Sequence, residues 1–599
     1  MAYSSLEEAL VDLEKARMLK RISKEVSPEL EMPAIAREAF ERNGPAILFE
    51  NVKGSPFRAV SNIFGTKERA YFLFRKTLPK IKTAIQAKAN PLNILKNPKT
   101  WLSLPSIGLS TLPLKSFSAK VLSDTCTLQD LPQIKSWPRD GGAFLTLPQV
   151  CSLPFGSKNM MQANIGMYRI QISGNNYSEN ECGLHYQINR GIAKHHTGAL
   201  QSGKPLKVSI FLGGPPAHSL AAAMPMPDNL SETIFAGLLA GRSFRYLFKD
   251  GYPISCDADF CITGEIAPEL KPEGPFGDHM GYYSEKHLFP CMKVHKVYHK
   301  KNAIFPFTVV GRPPAEDSIL GSLIHELVEP MVEVSVSGLH EMHAVDASGV
   351  HPLLLALGSE RFIPYQKKEP LELLKIANAL LGFNQASLAK YLWITDKESA
   401  PNLSTRNVPD FMLHILERIH FDRDLHFETT TSFDTLDYSS GKINHGSKVV
   451  FAATGEPCRT LGNNSESVAS TLHLPDGFKD PALVAPGILA VSANANSNIR
   501  ELLQALENFP AREHFPLITV TEDSSFCAKN FDNWIWVTFT RSDPASDIYG
   551  AFERTEKKHY SCSAPLVIDA RLKPGYPEVL TMDAEILQQA KETLNALSI

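Results

Sequence analysis

M-Y-R-I-Q-I-S at 167–173, K-V-S-I-F-L-G at 207–213, C-M-K-V-H-K-V-Y-H at 291–299 and A-I-F-P-F-T-V-V-G at 303–311 are short runs rich in β-branched and aromatic residues, separated by Gly, Pro and Asn turns. Such punctuation predicts strands, and several short strands in succession predict a barrel or sandwich reaching to about residue 315. In the first run Tyr168, Ile170 and Ile172 face one way while Arg169 and Gln171 face the other. One face therefore packs, the other offers polar groups to a cavity, and Arg169 is placed to contact a ligand.

Working outward, the start of the chain is helical. Leu6, Leu10 and Leu13 recur at helical spacing behind a Ser4-x-x-Glu7 capping box, and the acids there are unlike the basic start of a signal peptide. A-I-L-F-E-N-V-K-G-S-P-F at 46–57 gives a short apolar strand, so residues 1–120 form an α/β domain whose last part, from Pro91, is a Pro/Ser-rich surface connection. Residues 121–320 are the strand-rich domain. Beyond it, Y-L-W-I-T-D-K-E-S (391–399) leads to F-M-L-H-I-L-E-R-I-H-F-D-R-D-L (411–425), and L-I-T-V-T-E-D-S-S (517–525) leads to N-W-I-W-V-T-F-T-R-S-D-P-A-S-D-I (533–548). An internal duplication and the general likeness of βα units both account for this. The expected domains are 321–450 and 451–599, the second ending in a helix at 584–597. The fold class is mixed α+β.

The 599 residues suggest about three to five domains. Lys plus Arg number 61 and Asp plus Glu 64, a net charge of −3, which disfavours a dedicated nucleic-acid binder. The longest mostly apolar stretch, 481–493, is interrupted by prolines and too short to span a bilayer, so no transmembrane helix is expected. Nine scattered cysteines without C-x-x-C point to a reducing cytoplasm rather than to disulfides or thiolate zinc. There is no P-loop, G-x-S-x-G elbow or G-x-G-x-x-G after a strand.

Three clusters could carry chemistry. N-I-G-M-Y-R (164–169) sets an amide, a flexible glycine and an arginine together, although a turn Asn with a surface Arg reads the same. In M-P-M-P-D-N-L-S-E (224–232), Asn229 or Ser231 starts a helix with Glu232 in its first turn. Glu232 and the Asn164 carbonyl supply hard oxygens for Mg2+ or Mn2+ near a phosphate. K-P-E-G-P-F-G-D-H-M-G-Y-Y (271–283) holds Glu273 and Asp278 in a rigid Pro/Gly frame. If Arg169 pairs with Glu273, that acid stays charged, and Asp278, in drier surroundings, is kept protonated and can donate a proton.

In this order, G-P-A-I-L-F-E-N-V-K-G-S-P-F, N-I-G-M-Y-R, M-P-M-P-D-N-L-S-E, P-E-G-P-F-G-D-H-M-G-Y-Y, G-R-P-P-A-E-D (311–317) and W-I-W-V-T-F-T-R-S-D-P-A-S-D resemble the UbiD family of prenylated-FMN-dependent aromatic acid (de)carboxylases. The resemblance implies a central split β-barrel of the flavin-reductase kind, flanked by N-terminal and C-terminal α/β domains, the latter driving homo-oligomerisation between dimer and hexamer. It implies Asn164 and Glu232 as ligands of Mn2+, with or without K+, and Met167, Tyr168, Arg169, His185, Tyr186, Gln187, Arg190 and Gly191 as contacts to prenylated FMN. It makes Arg169, Glu273 and Asp278 catalytic, with Asp278 as the acid. The usual metal-binding histidine is replaced by Asn189, with His185 four residues earlier. The length matches a long, menaquinone-type subgroup. A cytoplasmic carboxy-lyase of quinone biosynthesis is implied, acting on a hydroxynaphthoate or, second, a polyprenyl-4-hydroxybenzoate, with a flavin prenyltransferase as cofactor supplier and only peripheral membrane contact. A flavin-binding non-catalytic subunit and an FMN-dependent redox protein are the alternatives.

Overall fold

The computed structural model describes residues 3–89, 108–187, 190–224, 226, 230–361, 365, 368–462 and 469–599. The chain divides into two compact units, one of Met1–Gly311, Ala315–Val328 and Val579–Ile599, the other of Arg312–Pro314 and Glu329–Glu578.

The first unit opens with helix Leu6–Lys15, which buries Leu6, Ala9, Leu10 and Leu13. Its cap sits one residue later than the sequence pattern suggests. Ser5 Oγ accepts from Glu8 N at 3.2 Å, while Ser4 donates its N and Oγ to the Glu8 carboxylate at 2.7 and 2.8 Å. Strands Leu19–Val26, Ala46–Val52, Arg58–Ser61 and Ile304–Pro306 form one four-stranded sheet. The 303–311 run, expected in the barrel, therefore contributes instead to the N-terminal sheet, pairing in parallel with Arg58–Ser61. The terminal helix Ala584–Ala596, expected with 451–599, belongs here too, because its buried Ala590 and Leu594 share a core with helix Glu31–Glu41. Arg42 fastens it by donating to Asn595 Oδ1 at 2.7 Å and to the Ile599 carbonyl at 2.8 Å.

The central sheet of the unit has nine strands, in the order Phe144–Leu145, Ile170–Gln171, Glu181–Leu184, His287–His299, Phe260–Glu273, Leu206–Leu212, Gln149–Ser152 and Asn164–Gly166, with Asp124–Cys126 beside His287–His299. Each of these pairings is antiparallel. Asn164–Gly166 is one edge of this path and Ile170–Gln171 is second from the other, yet only residues 167–169 join them. The four residue steps from Gly166 to Ile170 reach at most about 14 Å, so the sheet must curl until its ends approach. M-Y-R-I-Q-I-S is thus not one strand; its first half bridges the mouth of a curled half-barrel. Ile170, Leu184, Ile210, Ile262, Met292 and Val297 fill the core.

In the second unit, strands Leu339–Ala344, Leu353–Gly358, Tyr391–Asp396, Gly446–Ala453 and Leu425–Thr431 lie in that order, with neighbours antiparallel, parallel, parallel and antiparallel. Phe478–Ala485, Ile488–Ala493, Leu517–Thr521, His559–Asp569 and Ile548–Glu556 repeat the same order and directions. Helices Leu371–Leu381 and Ile499–Glu507 occupy one equivalent connection, and Val408–Arg418 and Phe531–Arg541 another. Every residue of the three central strands of the first sheet is buried, as parallel strands covered on both faces require. The nine cysteines are unpaired. Among the described residues no helix is long and apolar enough to cross a membrane.

Candidate active site

Arg169 stands at the entrance to Ile170–Gln171, and Glu273 closes the long strand Phe260–Glu273. After Glu273 the chain makes a small hairpin, Phe276–Gly277 against Tyr283–Ser284, which carries Asp278. Asp278 N donates to the Tyr282 carbonyl at 3.0 Å and fixes the turn. The three side chains converge. Arg169 Nε donates to Glu273 Oε1 at 2.8 Å and Nη2 to Oε2 at 2.9 Å, the two parallel bonds of a guanidinium fork. Its Nη1 donates to Asp278 Oδ2, its Nη2 also to Ser284 Oγ at 2.9 Å, and the Phe276 ring lies 4.6 Å from the guanidinium carbon. Glu273 is 0% and Asp278 7% exposed.

Burial alone would push both carboxyls up. For Glu273, the charge and bonds of Arg169, with His185, outweigh burial and hold it down to about 2. For Asp278, Arg169 and then His279, whose Nδ1 is 2.9 Å from Oδ1, outweigh burial and hold it well below the usual carboxylate range. The expectation that Asp278 stands protonated is therefore not met: dryness raises a carboxyl only when no cation shares the pocket, and here one guanidinium serves both acids.

A second pole lies on the other edge of the half-barrel. Ser231 caps helix Glu232–Ala240, its Oγ accepting from Thr233 N at 3.3 Å, and so places Glu232 in the first turn. Glu232 Oε2 accepts from Ile165 N at 2.7 Å, one residue from Asn164. Asn164 Nδ2 donates to Tyr168 Oη at 3.3 Å, and its Oδ1 lies where a side chain at Gly191 would begin, 2.1 Å from an ideal Cβ. Gly191 is the first residue of helix Gly191–Gln201, whose N-cap Arg190 supplies no side-chain cap. Burial pushes Glu232 up to about 7, against backbone amides that lower it. The Asn164 amide oxygen and the Glu232 carboxylate are hard oxygens of the kind a divalent cation takes, and such a cation would keep Glu232 ionised.

The remaining expected residues fall in different places. Met167 N donates to the Ala222 carbonyl at 2.9 Å. The Tyr168 and Tyr186 rings are 6.3 Å apart, but the Tyr186 hydroxyl is 2.6 Å from His196 Nδ1 and is committed to the helix behind it. The Gln187 carbonyl accepts from Arg190 N at 3.1 Å. His185, expected as a cofactor contact, has its Nδ1 3.2 Å from Glu273 Oε2. Asn189 and Asn229 lie outside the described residues. Ser284, His279 and Phe276 were not singled out by sequence, although His279 and Phe276 stand inside the quoted 271–283 motif.

Three family profiles match the chain: the N-terminal domain of 3-octaprenyl-4-hydroxybenzoate carboxy-lyase over residues 10–87, its Rift-related domain over 111–313 and its C-terminal domain over 318–453. An uncharacterised protein of Chlamydia trachomatis is 36% identical over 579 residues, covering 93% of each chain. A Chlamydia pneumoniae protein named as a subunit of 4-hydroxybenzoate decarboxylase is 35% identical, covering 95% of this chain and 94% of its own. The closed form of the vanillic acid decarboxylase of Sedimentibacter hydroxybenzoicus superposes with a TM-score of 0.65 at 21% identity, covering 79% of this chain and 98% of the other. The UbiD-class enzyme HmfF of Pelotomaculum thermopropionicum, solved with FMN, gives 0.58 at 21% identity, covering 76% and 95%. With relatives above 30% identity along nearly the whole length and profiles spanning all three domains, the chain belongs to the UbiD family of carboxy-lyases.

Proposed function

We propose that this protein decarboxylates a hydroxylated aromatic acid in quinone biosynthesis, using prenylated FMN and Mn2+. The observation that carries the reading is one buried guanidinium held between two carboxylates at the mouth of the half-barrel, four residues of chain from the Asn164–Glu232 pole. A hydroxynaphthoate of a menaquinone route leads and a polyprenyl-4-hydroxybenzoate follows; the length of the chain supports the first and the names of the profile and of the Chlamydia pneumoniae relative the second.

Loss of CO2 from an aryl carboxylate leaves a carbanion that no side chain can stabilise; a bound prenylated flavin supplies the electron sink. Asn164 and Glu232 would hold the cation at its phosphate end, with Met167, Tyr168 and the start of helix Gly191–Gln201 alongside. Arg169, braced by Glu273, orients the substrate carboxylate. Asp278 returns a proton to the carbon that lost CO2, and because Asp278 rests ionised, the proton must first reach it; His279, on Oδ1, is the neighbour able to hand it over. The protein is expected to work in the cytoplasm as a homo-oligomer between dimer and hexamer, with a flavin prenyltransferase supplying the cofactor and with at most peripheral contact with the inner membrane.

The test is co-expression with a flavin prenyltransferase, followed by absorbance and mass of the released cofactor and turnover of the two acids. A prenylated flavin with turnover is expected. Unmodified FMN would favour a redox flavoprotein, and a bound flavin without turnover of either acid a flavin-binding non-catalytic subunit.

A further inference from the structure

Resting on that reading, the geometry points to a further positioning residue: we propose that His185 acts through Glu273, as a neutral Nδ1–H donor that fixes the carboxylate against Arg169. Glu273 and Asp278 both bond to Arg169, so something must distinguish the acid that braces the guanidinium from the acid that carries the proton. His185 is a group placed to do this. Strands Glu181–Leu184 and Ile170–Gln171 pair with Leu184 opposite Ile170, and His185 N donates to the Arg169 carbonyl at 3.3 Å, so His185 emerges directly across from Arg169. Its Nδ1 is 3.2 Å from Glu273 Oε2, the same oxygen that accepts from Arg169 Nη2.

The tautomer follows from the partner. An ionised carboxylate only accepts, so the hydrogen must sit on Nδ1. The ring stays neutral, because burial and then the neighbouring Arg169 charge push the imidazolium down, against Glu273 and Asp278, which favour it. His185 therefore adds a hydrogen bond without adding a second positive charge. The Phe289 ring, with its centroid 4.1 Å away and tilted 32°, packs on the imidazole and holds its plane. The strand leaves room for this arrangement: a Cβ at Gly183 would fall 2.0 Å from the buried Tyr177 hydroxyl and 3.4 Å from Glu273 Cγ. The charged and titratable groups facing the pair are thus Arg169 from the barrel mouth, Asp278 from the hairpin and Tyr177 from the preceding loop. With Oε1 bonded to Arg169 and Oε2 to both Arg169 and His185, Glu273 is fixed as the ionised brace. Asp278 keeps its Oδ1 on His279, a side chain that can carry a proton.

Two measurements test this. In cofactor-free protein labelled with 15N-histidine, with His185→Phe used to assign the signal, His185 is expected as the neutral Nδ1–H tautomer near pH 7; an Nε2–H or doubly protonated ring overturns the proposal. In cofactor-loaded protein, His185→Phe, which keeps the packing on Phe289, is expected to lower kcat about 10-fold at little change in KM and to raise the acid limb of the pH profile by about one pH unit, as loss of a donor to a carboxylate requires. His185→Asn, whose amide nitrogen can stand in for Nδ1, is expected to recover most of both. An unshifted limb in His185→Phe, or equal losses in the two variants, overturns the positioning role. If wild type turns over no aromatic acid, the functional reading fails by itself, and the tautomer still decides His185.

Discussion

Arg169 divides its donors between two carboxylates, and the pattern of that division gives the first prediction. Nε and Nη2 form the parallel pair with Glu273 while Nη1 holds Asp278, so Arg169→Lys is expected not to rescue Arg169→Ala despite keeping the charge. An ammonium leaves at least one acceptor unpaired, at about 1–3 kcal/mol or roughly 5- to 150-fold in rate. Decarboxylation at matched cofactor occupancy checks it, and a lysine variant with more than about half of wild-type activity would mean that charge alone suffices. The second prediction concerns acid. Glu273 is held at about 2, below the ~4.3 of an unfolded chain. Its contribution to stability is thus fully present above about pH 4.3 and is lost as pH falls through the folded value, on the order of 3 kcal/mol in all. The gap in melting temperature between wild type and Glu273→Gln should narrow from about pH 6 to pH 3; a constant gap would contradict the assignment. How much of this was legible depends on distance along the chain. Alternation over 167–173 predicts Arg169 as a ligand-facing residue, but only Ile170–Gln171 of that run is strand. The partners of Arg169 stand 104 and 109 residues away, and only the curl of the sheet brings them to it.

At the scale of elements, helix Gly191–Gln201 begins with a residue that has no side chain for a reason outside the helix. An alanine there would meet Asn164 Oδ1 at 2.1 Å, although alanine is the better helix former by up to about 1 kcal/mol. Gly191→Ala is therefore expected to fold with a melting temperature near wild type and to bind Mn2+ about 10- to 100-fold more weakly, the range seen when partners around a metal are disturbed. Titration of metal-free protein decides, and wild-type affinity would remove Asn164 from the metal pole. Helix starts were readable from sequence, because capping is local: Ser231 caps Glu232–Ala240, one of the two residues expected to do so. The first helix shows the limit, since two adjacent serines offer two caps and Ser5 takes the role assigned to Ser4. The broken strand at 167–173 shows another, because alternation cannot tell a strand from two strands joined by a bridge across a barrel mouth.

For the whole molecule, the repeated five-stranded topology of the second unit is stitched by buried polar groups. Lys390, 0% exposed, lies 2.7 Å from Asp437 and donates to Ser439 Oγ at 2.9 Å and to the Ser542 carbonyl at 2.7 Å, so it ties the first sheet to the end of helix Phe531–Arg541 in the second. Lys390→Met leaves Asp437 buried without its cation and is expected to cost about 3–5 kcal/mol, seen as a lower melting temperature; an unchanged one would mean that the two sheets do not depend on this pair. The sequence layout hinted at this likeness, but identity between the segments is low, and strand order is a property of the folded sheet. The central claim, that Asp278 delivers the proton that replaces CO2 on an aromatic ring, has a direct measurement. Cofactor-loaded wild type and Asp278→Asn are given the aromatic acid in D2O, and the product is examined for deuterium. Wild type is predicted to place one deuterium on the carbon that lost the carboxylate, and Asp278→Asn to bind cofactor yet turn over about 10²–10⁴-fold more slowly. Turnover of the asparagine variant within about twofold of wild type, or a product without deuterium at that carbon, would contradict it.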